Sequence, residues 1–310
     1  MQFTDILKKY GILLAFIIVC IIITILNPKF ISGTNIFNVV RQTSLIGIIA
    51  VGLTFVILAA DIDLSVGSVA ALAGVISAGL IANDGLSVFP AVIIPLFVCV
   101  ILGLIMGLVI TKAHVHSFVV SLGMLSIARG LALVYTKGFS ISGLNKDFRV
   151  LGGGQVWVFP MPVIIFAVIL IVAHFILKKT PYGKYVYAIG GNIEATRLSG
   201  INVDLCRIVS FGISSLMAGL GGIILASRVA SGQPTACEGW ELDGIAAVII
   251  GGTSLYGGRG GIPGTLVGAL FLGVLRNGLD LLQVSPFYQR IFIGFLIVAA
   301  VILDSVKKED

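Results

Sequence analysis

At 310 residues, with 58% hydrophobic and only 11% charged, the chain cannot be an ordinary soluble domain, since about a quarter of a globular chain is charged. Apolar runs of about 16 to 23 residues recur along it, each about long enough to cross a hydrocarbon core as a helix; this supports one transmembrane domain over residues 1–310 and leaves no room for a soluble catalytic domain. The net charge of +6 lies in loops, where it orients membrane segments and gives no reason to expect nucleic acid.

Met1 to Tyr10 is a short polar start with Lys8 and Lys9. The apolar run Gly11 to Leu26 resembles a signal peptide in charge and hydrophobicity, but it lacks an A-x-A cleavage site and leads into Asn27-Pro28-Lys29, so it is expected to be an uncleaved first span. Residues 30 to 43 are expected outside. A second span follows at about 44 to 60, then the segment Asp61-Ile-Asp-Leu-Ser-Val-Gly-Ser68 and a third span at about 66 to 82. Asn83-Asp84-Gly85 signals a turn. The fourth span, about 90 to 111, contains Gly103-x-x-x-Gly107, a spacing that lets helices approach closely. Lys112, His114 and His116 mark its end, and two histidines without a third ligand make no metal site. The fifth span, about 117 to 136, carries Arg129 in its middle.

Residues 137 to 160 form the longest outside loop, with Trp157 as an interface anchor. The sixth span, about 161 to 177, holds His174 as a packing residue near its inner end. A seventh, about 208 to 227, leads to the outside loop Gln233 to Glu241. An eighth, about 243 to 255, is short and runs into a glycine-rich turn; a ninth covers about 264 to 283 and a tenth about 287 to 303. The expected fold is therefore all-α: about ten transmembrane helices, some broken, lining a central pathway.

An even number of spans puts both termini on one side. Placing that side in the cytoplasm puts Lys8, Lys9, Lys112, Lys178, Lys179, Lys184, Arg197, Arg207, Arg259, Lys307 and Lys308 inside. Only Lys29, Arg41, Lys137, Lys146 and Arg149 then lie outside, the asymmetry expected of an inner-membrane protein.

Between the sixth and seventh spans lies a polar island, residues 178 to 207. Asn192 can cap a short helix there, Glu194 lies in its first turn where a carboxylate complements the helix dipole, and Gly200 can end it in a left-handed conformation. About two turns of surface helix are predicted. A solvated connector is the plain reading of such a loop; a docking surface is the other.

Asp61 and Asp63 interrupt a long apolar stretch, where charges face a cavity or pair with another charge. A helix cap at a break in the span, with Asp63 and Ser65 satisfying backbone donors, is weighed against contact with substrate. Arg129 is expected to pair with Asp63 or Asp61 and pin two helices together, and Arg276 with Asp280, four residues on. Gly251-Gly252-Thr253-Ser254 breaks a helix where backbone can line a cavity. The glycine-rich turn after it is not a phosphate loop, because G-x-x-x-x-G-K-[ST] is absent, so ATP hydrolysis by that route falls to another subunit.

The run Gly190-Gly191-Asn192-x-Glu194-Ala195-Thr196-Arg197-Leu198-Ser199-Gly200-Ile-Asn-Val resembles the coupling segment of permease subunits of bacterial ABC importers of the ribose and monosaccharide type. Further matches are the segment from Asp61 to Ser68, Gln233-Pro234-Thr235, Glu241-Leu-Asp243, Gly251 to Ser254 and Val284-Ser-Pro-Phe-Tyr288; the resemblance covers essentially the whole chain. Asp63 fits the family's pattern, whereas Asp61 stands where the family more often has glycine. The resemblance implies a pathway formed by two permease copies, a cytoplasmic ATPase carrying ATP and Mg and docked on residues 190 to 200, and an extracytoplasmic sugar-binding protein. No cofactor is expected in this chain. On their own chemistry, Asp61, Asp63, Ser65 and Gly251 to Ser254 are expected beside the pathway, and the loop Gln233 to Asp243, which mixes amide, carboxylate and an aromatic, is expected to meet the sugar or its binding protein through Gln233, Pro234, Thr235 and Glu241, with an interfacial loop anchored by a Trp as the plain reading. The rival readings are an ion-coupled secondary sugar transporter, for which Asp61, Asp63 and His174 are the available titratable groups, and, last, an intramembrane enzyme, for which no Ser/His, paired-Asp or H-E-x-x-H arrangement appears in the spans.

Overall fold

The computed structural model describes residues 3–309, with side chains described over 11–302; Lys8, Lys9, Lys307 and Lys308 lie outside the described side chains. In chain order the helices are α1 (Phe3–Leu26), α2 (Gly33–Leu58), α3 (Val66–Ala82), α4 (Val88–Lys112), α5 (Ser117–Thr136), α6 (Lys146–Gly153), α7 (Met161–Lys179), α8 (Pro181–Gly191), α9 (Ile193–Leu198), α10 (Val203–Val229), α11 (Trp240–Ile250), α12 (Ile262–Leu281) and α13 (Pro286–Glu309). A 3₁₀ turn covers Pro28–Ile31. Two short strands, β1 (Gln155–Val156) and β2 (Phe159–Pro160), pair antiparallel.

Each of the ten expected spans overlaps a helix, the eighth only as far as Ile250, where the glycines at 251 and 252 end α11. Among the described residues, six of these helices (α2, α4, α5, α7, α10 and α12) are long and apolar enough to cross a membrane. Shorter apolar stretches occupy Gly11–Leu26, Val66–Ala82 and Pro286–Ile302. With 11 residues, α11 rises about 16 Å, half a hydrocarbon core.

Three boundaries differ from expectation. The second span begins at Gly33, because Ser32 Oγ accepts the Asn35 amide and starts the helix eleven residues early. The loop 137 to 160 contains α6, started by Asn145 Oδ1 accepting the Phe148 amide at 2.9 Å, and the β1–β2 hairpin, on which Trp157 is 93% exposed. The polar island holds a second helix, α8, begun by Thr180, whose hydroxyl accepts the Gly183 amide, with Pro181 in the first turn.

At the centre stands α10, packed on α2, α3 and α4. Its inner face is a seam of small residues, among them Ser214, Ala218 and Gly222. The expected close approach of Gly103 and Gly107 is observed: Gly103 faces the Phe211 carbonyl and Gly107 the Cα of Ile208, so any Cβ there would drive α4 off α10. Helices in lipid gain little from burying apolar groups against one another, so backbone proximity supplies their contact energy. The outer surfaces of α4, α5 and α7 carry exposed Phe97, Phe118 and Phe175.

Candidate functional site

The short helix predicted within the polar island is α9. Asn192 is extended and its Oδ1 accepts the Ala195 amide at 2.9 Å, Glu194 occupies the first turn, and Gly200 has φ +81. Thr196 and Ser199 hydroxyls return to the carbonyls of Asn192 and Ala195. One side is tied down by Arg197, whose Nη2 donates to Asp204 at 3.2 Å, while Lys112 at the end of α4 reaches the other Asp204 oxygen at 3.0 Å. Leu198 is left 89% exposed.

Gly190 sets the depth at which this unit sits. A methyl group there would run into the Leu58 carbonyl and the Gly258 amide, which are themselves joined by a 3.0 Å hydrogen bond. Gly257 and Gly258, at φ +81 and +71, let the turn fold back this closely, and the Tyr187 hydroxyl donates to the Gly260 carbonyl at 2.9 Å. The last turn of α8, the end of α2 and the glycine-rich turn thus form one packed block beneath α9.

The break between α2 and α3 is built around both carboxylates. Asp61 accepts Nε and Nη2 of Arg207, each at 2.7 Å. Asp63 is fully buried; its Oδ1 accepts the Ser65 amide and hydroxyl at 2.9 and 2.6 Å, and its Oδ2 accepts the Ser214 hydroxyl of α10 at 2.7 Å. Ser65 gives its proton to Asp63 and makes no cap bond of its own, so of the expected capping pair only Asp63 serves a backbone donor. Ser117 and Ser121 of α5 satisfy the Ile62 amide and carbonyl.

Two expected ion pairs are corrected. Arg129 reaches neither aspartate: its Nη1 donates to the carbonyls of Pro234 and Ala236, at 2.5 and 2.9 Å, because the unwound stretch ahead of α11 offers free acceptors beside α5 while Arg207 already saturates Asp61. Arg276 pairs with Asp243 on α11 instead of Asp280 on its own helix. Asp243 is buried and needs a counter-charge, whereas Asp280 takes the Gln289 amide at 2.8 Å.

Gly251 to Ser254 follows α11 directly. Gly252 turns at φ +85, buried Thr253 accepts the Gly261 amide at 3.3 Å, and the Ser254 amide donates to the Arg259 carbonyl. Gly251 packs backbone to backbone on Gly264 at the start of α12. A cavity of about 260 Å³ beside them is lined by His174, Lys178 and Tyr187 together with Gly251 and Gly260 to Gly264. At the opposite end of α11, Gln233 and Thr235 are exposed, Pro234 is buried, and Glu241 packs against Gly67. The structure brings residues 190 to 200 together and places them next to the turn following Gly251 to Ser254; Gln233 to Glu241 stand apart from both. Sequence reasoning missed Lys112, Asp204, Arg207 and Ser214 as members of this assembly. The available signal was Asp204 and Arg207 three apart on the first turn of α10, hence on one face.

A bundle of long apolar helices around a small-residue seam, with one short helix tied to it by ion pairs, defines a polytopic membrane protein. Residues 35–301 match the family described as branched-chain amino acid transport system / permease component, and the chain belongs to that family. It is 45% identical over 296 residues to the ribose import permease protein of Haemophilus influenzae, covering 94% of this chain and 91% of that one. Identity is also 45% over 308 residues to the ribose import permease protein of Bacillus subtilis, covering 99% and 95%. The L-arabinose transport system permease protein of Escherichia coli K12 is 37% identical over 308 residues, covering 99% and 94%. The ribose-type resemblance read from the motifs thus holds across nearly the full chain. No solved structure matches it.

Proposed function

We propose that this chain is the membrane-spanning subunit of an ABC importer for a monosaccharide, ribose or a sugar close to it. The observation that carries the coupling mechanism is α9: an exposed knob, ending in Leu198, locked to α10 through Arg197 and Asp204 and seated on the block made by Gly190, Leu58 and Gly258. Its relatives' names supply the sugar class.

In this reading the chain crosses the inner membrane about ten times with both termini in the cytoplasm, and two copies enclose the pathway. A separate ATPase, which binds ATP and Mg, docks on Gly190 to Gly200, and a sugar-binding protein docks outside at Gln233, Pro234, Thr235 and Glu241. Closure of the ATPase pair moves α9. The ion pairs on the first turn of α10 pass that motion to the break at Asp61, Asp63 and Ser65 and to Gly251 to Ser254, beside the pathway. Asp61 and Asp63 are fully occupied by Arg207, Ser65 and Ser214, which supports a positioning role over the proton shuttle an ion-coupled transporter needs.

The test is sugar uptake into proteoliposomes holding the chain, its ATPase and its binding protein. Uptake is expected to require all three and ATP. Uptake by the chain alone, abolished by a proton uncoupler, overturns the reading.

A further inference from the structure

Beside α9 the bundle opens into a cavity of about 340 Å³ that shares Arg197, Arg207 and Asp61 with the coupling relay. Three of its walls are α9 through Ile193 and Arg197, the break through Ala60 and Asp61, and the connection from α4 to α5 through His114 and His116; the fourth is α10. Arg207 lines it as well. Two guanidinium groups and two imidazoles therefore surround a single carboxylate. That carboxylate is already spent, since both oxygens of Asp61 accept from Arg207.

The bonds of Arg207 to Asp61 use Nε and Nη2, and that of Arg197 to Asp204 uses Nη2. Each guanidinium keeps an Nη1 donor for a ligand. Asp61 fixes the plane of Arg207, so its remaining donors are oriented before any ligand arrives, an arrangement suited to a planar or tetrahedral oxyanion. Ala60 and His114 hold the left-handed backbone region without being glycine, at φ +61 and +52. Each directly follows a helix C-cap, Ala59 of α2 and Ala113 of α4, and so fixes where the cavity wall turns away from its helix. The volume exceeds what a lone phosphate needs and falls in the range of small-molecule sites.

We propose that this cavity binds the phosphate group of a small phosphorylated metabolite. Resting on the sugar-import reading above, the metabolite is a pentose phosphate, made when a kinase transfers the terminal phosphoryl group of ATP to a hydroxyl of the imported sugar. A bound phosphate bridges Arg197 on α9 to Arg207 and the 114–116 connection. It clamps α9 and the start of α10 to the 114–116 connection, so accumulated product slows further import. An anionic lipid headgroup presents the same phosphate chemistry to this surface.

The experiment titrates the purified chain, in phosphatidylcholine nanodiscs, with ribose 5-phosphate, inorganic phosphate and ribose, and repeats the series with phosphatidylglycerol added to the disc. Saturable binding of ribose 5-phosphate, weaker binding of inorganic phosphate and none of ribose are expected. His114→Ala and His116→Ala, both at exposed positions, each weaken binding about ten-fold by removing one charge-assisted hydrogen bond. Import without ribose 5-phosphate stays unchanged in both variants. No phosphate binding, or binding indifferent to both substitutions, overturns the site. Loss of ribose 5-phosphate binding on adding phosphatidylglycerol assigns the site to a headgroup and overturns the metabolite. Because binding is read on the chain alone, a chain that binds ribose 5-phosphate but imports no sugar with its partners keeps the site and loses the importer. A working importer that binds no phosphate loses only the site.

Discussion

Arg207 and Asp61 lie 146 residues apart in the chain and meet side-on, two donors to two acceptors, with 17% and 5% of their side chains exposed. Removing one partner of a pair this buried strands the other charge, a loss of about 3 kcal/mol. Asp61→Asn is therefore expected to lower the midpoint of thermal unfolding in detergent, while Asp61→Asn combined with Arg207→Gln recovers part of the loss. A double-mutant cycle with no coupling between the two sites contradicts the pairing.

Gly190→Ala meets backbone on both sides, the Leu58 carbonyl and the Gly258 amide, so no flexible side chain can yield. Overpacking costs about 1 to 3 kcal/mol. The strain falls between α9 and the bundle, so the expected outcome is a chain that inserts normally but hydrolyses ATP with less sugar moved per ATP. Uptake and phosphate release measured on the same proteoliposomes give that ratio; an unchanged ratio removes Gly190 from the coupling block.

Leu198 makes little contact within its own chain, being 89% exposed, and Leu198→Asp should leave thermal stability within about 0.5 kcal/mol of wild type. A central apolar contact at an interface is worth about 2 kcal/mol. Affinity for the ATPase, measured by titration in detergent, is expected to fall roughly thirty-fold. Wild-type affinity places the dock elsewhere than α9.

Arg129→Gln removes two charge-assisted bonds, to Pro234 and Ala236 carbonyls. Each is worth about 1.5 to 3 kcal/mol. The loop from Gln233 to Cys237 is expected to exchange its amide hydrogens faster, with weaker capture of the sugar-binding protein, while α9 and its ATPase contact stay intact. Unaltered exchange in that loop would refute the tether.

Much of the architecture was legible from local pattern. Apolar run length located ten helices, the Gly103-x-x-x-Gly107 spacing announced a close helix contact on α4 without naming α10 as its partner, and Asn192, Glu194 and Gly200 outlined α9, because hydropathy, small-residue spacing and capping each act over a few neighbouring residues. Pairings were another matter. Arg129 and Arg276 were assigned by proximity in depth or in sequence, yet each charge goes where an unmet partner is exposed: the open carbonyls before α11, and buried Asp243.

From residue order alone came the membrane class, the helical segments and the ribose-type motif set, since these depend on side-chain chemistry read along the chain. Only the folded bundle decided that Arg207 holds Asp61, that Gly190 is glycine because Leu58 and Gly258 leave no room for more, and that α9 borders a basic cavity. Those outcomes hinge on which backbones lie within a few ångströms of one another, and that distance is fixed by packing helices far apart in sequence.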